Sequence, residues 1–368
     1  MLSRSASRES ASHSPKRSEY ERGCNGLHSS AYLHTICRKL YYPRVKVPIM
    51  AEIIDSYSHI MPQSVRTALL DTNPTETIRA HDDPIFYDID RRLADMDAAG
   101  IDKQVLTLAS PPSWRGIDPE QALPIVKQAN NEISRLGDQY PDRFIPVGTL
   151  PFLSGAYLDE LDRCVTDLGM AGIQIFSNVD GKPLDADEFL PFYDAVESHD
   201  VPLWMHPQLS EYGITGESMF YDKVFGWLFD TTIALSRLVF SGIMDRHPDL
   251  KLIAHHMCAM IPHFADRIRT FYEAREFYPH TDWATLSRPV ESYFKQFYGD
   301  TVVNGSVPAL ETGCEFLGTD HLLFGSDYPY GPDDGRRWHG DTDSIRQLAL
   351  SDDALAGVLG NNLASLTS

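Results

Sequence analysis

No segment of this 368-residue chain approaches the run of roughly 20 apolar residues that a membrane span requires, and a membrane partner is not expected. There is no Cys-x-x-Cys pair either. The five cysteines (Cys24, Cys37, Cys164, Cys258 and Cys314) are scattered. That excludes a structural zinc ribbon or a disulfide frame and fits reduced thiols in a cytoplasmic protein. Basic residues are scarce beyond residue 49, where 23 Lys and Arg face 49 Asp and Glu. A body so acidic repels nucleic acid and anionic lipid surfaces.

What is present is ordinary globular composition, 42% hydrophobic and 23% charged. The first 49 residues stand apart, with nine basic residues against three acidic ones in a Ser- and Arg-rich, aperiodic stretch. Such a segment buries too little apolar surface to fold alone. A transit peptide is a weaker reading, because of its acids and its lack of an amphipathic run. We expect a disordered or non-native extension over 1–49, with Met50 as the natural start, and one domain over 50–368.

From residue 51 onward short apolar runs alternate with amphipathic segments of helical length. Strands are predicted at 51–55, 104–108, 144–149, 172–176, 201–205, 251–254, 296–300 and 321–325. Their near-continuous apolar character suits strands of a parallel sheet buried on both faces. Helices are predicted at 88–99, closed by Gly100, at 156–168, closed by Gly169, and at 187–199. The alternation predicts an α/β protein, a (β/α)8 TIM barrel, with an insertion at 207–247 after strand 5 that covers the mouth.

Barrels of this kind work at the C-terminal ends of their strands. Here those ends carry Tyr57 and His59, Phe176 and Asn178, His206, His255 and His256, and Asp327. Each has a bland reading: His206 as a packed core residue, Asp327 as a turn cap, one of His255 and His256 as a surface side chain. Together, at one end of one barrel, they make a set of imidazoles and a carboxylate able to converge on a divalent ion.

The segments IIDSYSHIMP, VPLWMHP, FSGIMDRHPDLKLIAHH and LLFGSDYPYG resemble the amidohydrolase superfamily. The resemblance is to the branch of aminocarboxymuconate semialdehyde and resorcylate-type decarboxylases, and it runs over about 51–366. It implies His59, His206 and Asp327 as metal ligands and His256 as the catalytic histidine. His256 lies five residues after Lys251 and six before Pro262, with His255 as its neighbour. It also implies Arg267 on a substrate carboxylate, in some members across a dimer interface, and hence a homodimer. The family's first strand normally carries two histidines, and Tyr57 replaces the first. Tyr57 could sit beside a metal held by the other three residues, could ligate it directly, or could mark a site that works without metal. The metal implied is zinc, with manganese or iron as alternatives.

The activity implied is metal-dependent, non-oxidative decarboxylation of a small aromatic or unsaturated acid, with His256 moving the proton and Arg267 and Arg115 holding the carboxylate. Trp227 and Phe176 would pack on the ring, with Asn178 beside them; Trp204, inside a strand, reads as core. Hydrolysis of an ester, lactone or amide is the alternative, followed by hydration and by a metal-free binding protein. The strand-four segment GIQIFSN lacks the lysine of two-metal amidohydrolases, which favours a one-metal site.

Overall fold

The computed structural model describes residues 51–109, 114–208, 221–278, 280 and 282–368. The expectation for the first 49 residues, and the centre of the expected insertion, lie outside these. Eight parallel strands form the barrel. They are β1 (Ile54–Ile60), β2 (Lys103–Leu108), β3 (Phe144–Pro146 continued by Gly148–Thr149), β4 (Ile173–Phe176), β5 (Leu203–His206), β6 (Leu252–Ala254), β7 (Tyr298–Asp300) and β8 (Leu322–Leu323). Neighbouring strands pair in sequence order. Val147 N donates to Leu106 O across the break in β3, and Ser56 N to Phe324 O at the seam between β1 and β8, so the cylinder has no free edge.

A helix follows each strand: α1 (Ile89–Ala99), α2 (Pro119–Gln139), α3 (Ala156–Thr166), α4 (Leu190–His199), α5 (Trp227–Phe240), α6 (Ile261–Glu273), α7 (Val307–Leu317) and a final helical stretch, 352–366. The local chemistry explains their limits. At α1, the Asp88 carboxylate accepts from Arg91 N, and Gly100 closes the helix with φ 72°. The predicted 156–168 stops at Thr166, and the predicted 187–199 begins as a 3-10 turn before α4.

The core has two parts. Most apolar side chains lie between the strands and the helices. A smaller cluster of Tyr57, Val105, Val147, Trp204, Ile253 and Leu323, one residue from each of β1, β2, β3 (at its break), β5, β6 and β8, fills the cylinder. The first strand departs from the sequence-based expectation. It does not end at Asp55 but runs to Ile60, and all seven residues of Ile54–Ile60 are buried. In the sequence its polar residues read as the end of a strand. They are tolerated inside because they are paired: Asp55 accepts from Ser326 N, Ser326 Oγ and Gln104 Nε2, and Ser58 Oγ donates to Val105 O. A bulge between Asp55 and Ser58 shifts the register there.

Candidate active site

The strand ends meet at the C-terminal mouth. β1 supplies Tyr57 and His59, β5 ends on His206, β6 leads into His255 and His256, β7 ends on Asp300, and Asp327 follows β8. Asp327 is brought beside β1 because its own N–H donates to Tyr57 O, and His59 N donates to Tyr328 O. His59 Nε2 lies 3.0 Å and His255 Nε2 3.4 Å from Asp327 Oδ1. Ring centroids of His59 and His206 are 5.2 Å apart, and those of His206 and His255 5.3 Å. Among the described residues, one ring nitrogen from each of His59, His206 and His255 lies within 4.8 Å of the others, as do the ligand atoms of His255, His256 and Asp327. Four residues far apart in sequence, His59, His206, His256 and Asp327, therefore surround one place.

The hydrogen bonds decide which nitrogens carry protons. Thr107 Oγ1 donates to Ser58 O at 2.8 Å, so at 2.9 Å it accepts from His59 Nδ1–H. His206 Nδ1–H donates to Pro207 O at 2.7 Å. Both rings thus aim the Nε2 lone pair inward. Burial favours the neutral form of each: His59 is held below its ordinary pKa, and His206 well below it. The Asp327 carboxyl, although buried, is kept below the usual carboxylate range, first by its hydrogen bond with His255. Two lone pairs and a carboxylate oxygen facing one another in a buried place repel unless a cation joins them. This donor set fits a divalent ion, which His59 and His206 could hold together with Asp327 or His255.

A second constellation adjoins the first. His255 Nδ1 lies 2.5 Å from Asp300 Oδ2, both side chains fully buried. Burial disfavours a charged His255, but Asp300 and Asp327 outweigh it and raise the ring to about 9. His256 is its opposite: burial and the neighbouring His255 lower it to about 3. The rings of this pair lie 3.7 Å apart. Only His256 of the two is partly exposed.

Tyr57 is fully buried and its ring stacks on His255 at 4.0 Å. Burial, then Asp300 and Asp327, push its phenol well above its ordinary pKa, which works against phenolate ligation. Trp227, at the start of α5, borders the cluster, 5.8 Å from His206 and 6.3 Å from His256 between ring centroids. Buried Phe176 meets His206 edge-on at 6.4 Å. Asn178 is occupied within its own loop, its amide donating to Gln208 O and accepting from Gly181 N. Trp204 is core, with its indole N–H on Ser56 O. Among the described contacts, neither arginine reaches the cluster. Arg115 is exposed and offers its carbonyl to Asn73. Arg267 is exposed on α6, its guanidinium 4.7 Å from the Phe271 ring.

Three contributors have no role in the sequence-based reading, although one of them, Asp300, is among its strand ends. Asp300 ends a predicted strand, and an acid there, one strand from a histidine pair, was a readable signal. Thr107 gave none: its role depends on the pairing of His59 with Thr107 across β1 and β2. Arg92 is buried on α1 and donates to Ser58 Oγ, Gln104 Oε1 and His59 O, holding the strand that carries His59.

This architecture, a closed eight-stranded barrel with histidines and an aspartate at its C-terminal mouth, is that of the amidohydrolases, and the chain belongs to the amidohydrolase family, which it matches over residues 54–364. The relatives place it in the decarboxylase branch. It is 32% identical over 258 residues to a gamma-resorcylate decarboxylase of Rhizobium radiobacter, covering 66% of this chain and 76% of that one. It is 28% identical over 251 residues to the 2-amino-3-carboxymuconate-6-semialdehyde decarboxylase of Dictyostelium discoideum, covering 66% and 67%. Among solved structures, the 5-carboxyvanillate decarboxylase of Sphingomonas paucimobilis superimposes with a TM-score of 0.76 at 25% identity, over 86% of this chain and 99% of that one. All three are named decarboxylases. Among the described residues no helix is long and apolar enough to cross a membrane.

Proposed function

We propose that this protein is a non-oxidative decarboxylase of a small aromatic or unsaturated carboxylic acid, with one divalent ion held by His59, His206 and Asp327. Zinc suits the nitrogen-rich set, and manganese or iron would also be accepted. What carries the reading is the convergence of inward lone pairs and a carboxylate beside a histidine pair of opposite proton affinity, in a chain whose relatives are decarboxylases. Such an ion, when bound, stabilises negative charge and serves as a template for substrate oxygens.

The remaining work falls to the chain. Loss of carbon dioxide leaves an electron pair on carbon, and one proton must replace the carboxyl group. His255 holds a proton against Asp300, while His256, partly exposed and neutral, stands 3.7 Å away toward the mouth. His256 takes that proton from His255 and passes it to carbon, and His255 is then reprotonated against Asp300. Trp227 and Phe176 flank the substrate ring. Arg267 binds the carboxylate of a substrate in a partner subunit; the homodimer this requires is supported by the exposed Phe264 and Phe271 on the same helix. Free thiols at Cys164, Cys258 and Cys314 support a reducing, cytoplasmic setting.

The test is carbon dioxide release from a panel of hydroxybenzoates and muconate semialdehydes, with and without a chelator. Release that the chelator abolishes and added metal restores is the expected result. Hydrolysis of esters, lactones or amides by the same protein, with no carbon dioxide from any acid, would overturn the proposal.

A further inference from the structure

Adjacent residues in an extended chain point to opposite faces. His255 and His256 do not: their rings lie 3.7 Å apart on the same side. The backbone explains this. Immediately after β6 the chain enters a left-handed turn in which four consecutive non-glycine residues have positive φ, His256 at 58°, Met257 at 57°, Cys258 at 56° and Ala259 at 54°. L-residues disfavour this region, and a run of them persists only where the surroundings impose it. The turn folds the His256 ring back onto His255.

Hydrogen bonds pin its ends. His256 N donates to Asp300 Oδ1, Ala259 N to His256 O and Met260 N to Thr232 Oγ1. Its middle is held by shape. Met257 is buried and its side chain enters a slot that exists because α7 carries glycine at 313. A methyl group on Gly313 would lie 2.3 Å from Met257 Sδ and 2.6 Å from its Cγ, and one on Gly299 would lie 3.3 Å from Met257 Cα. The clash at Gly313 begins at the second side-chain carbon, so it cannot be relieved by moving the methionine tip alone.

We infer that Met257 and Gly313 are positioning residues: the Met257 side chain, keyed into the slot at Gly313 on the outer helix, holds the left-handed turn that turns His256 toward the mouth. The inference rests on the proposed reading of His256 as the proton donor. Its consequence is that a change on α7, remote from the metal ligands, acts on proton delivery alone.

The test is the pair Gly313→Ala and Met257→Ala with their double variant. Misplacing a catalytic group by about 1 Å lowers turnover on the order of a hundredfold. Each single variant should lower kcat by about tenfold or more, with KM and metal content within about twofold of the parent. The double variant, in which the new methyl refills part of the vacated slot, should exceed both singles. Singles with parental kcat, or a double showing only the product of the two losses, would overturn the inference. If Gly313→Ala fails to fold, Met257→Ala carries the same expectation. A crystal structure of Met257→Ala separates the two levels. An unmoved His256 overturns the positioning role whatever the activity, whereas a displaced His256 with parental turnover overturns the role given to His256 itself.

Discussion

Thr107→Val is the sharpest test of the metal site, because it alters no ligand. The Thr107 hydroxyl is buried, donates to Ser58 O at 2.8 Å and accepts from His59 Nδ1 at 2.9 Å. Valine keeps the shape and removes the acceptor. His59 Nδ1–H is then buried without a partner, a loss of about 1–3 kcal/mol. The ring escapes by moving its proton to Nε2, where Asp327 Oδ1 waits at 3.0 Å. That hydrogen bond occupies the two atoms a cation would need, so metal binding must break it first. Losing the partner that orients a ligating histidine lowers affinity by about 10- to 100-fold, which corresponds to about 1.4–2.7 kcal/mol. The assay is competition with a chromophoric chelator at fixed pH on the parent, Thr107→Val and Thr107→Ser. Serine keeps the hydroxyl and should retain most of the affinity. Equal affinity in valine and parent, or a serine variant as weak as valine, would refute the tautomer argument.

His256→Asn should abolish carbon dioxide release while leaving metal content and thermal stability near those of the parent, both measurable on one preparation; normal turnover would remove His256 from the mechanism. Tyr57→His restores the residue usual at this place in the family and should tighten metal binding about tenfold, read by the same chelator competition, since a neutral imidazole needs no deprotonation to ligate. His339 predicts an acid limb. It is buried, accepts from Gln104 Nε2 at 2.9 Å and is lowered to about 3 by burial and Arg92. The unfolded chain therefore takes up a proton below about 6.5 that the folded chain refuses, and stability falls as pH drops from there, by up to about 1.4 kcal/mol per pH unit. Urea melts at pH 7 and pH 5 should show a smaller fall for His339→Phe, which keeps a ring against Tyr328; an unchanged fall would rule His339 out as a source.

The barrel was legible because each strand is a short apolar run between polar segments, and the mouth because histidines and aspartates recur where those runs stop. What stayed hidden was whatever depends on neighbours in space. Ile54–Ile60 looked finished at Asp55 because polar residues follow it; only the partners Gln104 and Ser326, far along the chain, make a polar strand interior stable. Thr107 reads as one β-branched residue among apolar ones until pairing sets it beside His59. Arg267 and Arg115 illustrate the converse: their residue type suits a carboxylate, but α6 and the loop after β2 leave both exposed.

The same contrast bears on the histidine pair. Counting from Lys251 and Pro262 distinguishes His256 from His255 by alignment, but gives no reason for the chain to carry both. The left-handed turn supplies one. Two imidazoles forced onto one side, one facing Asp300 in full burial and the other facing the mouth, cannot both be protonated at 3.7 Å. The proton belongs to the ring with the carboxylate, and the outer ring is thereby kept neutral and ready to receive one. Asp300→Asn should undo this division: with its counter-charge gone, His255 loses its proton near neutrality and His256 is no longer suppressed by it. The alkaline limb of kcat, set by loss of the His255 proton, should then move downward in pH, recorded on whichever acid proves to be decarboxylated. A limb that stays in place would mean that the two rings do not share a proton.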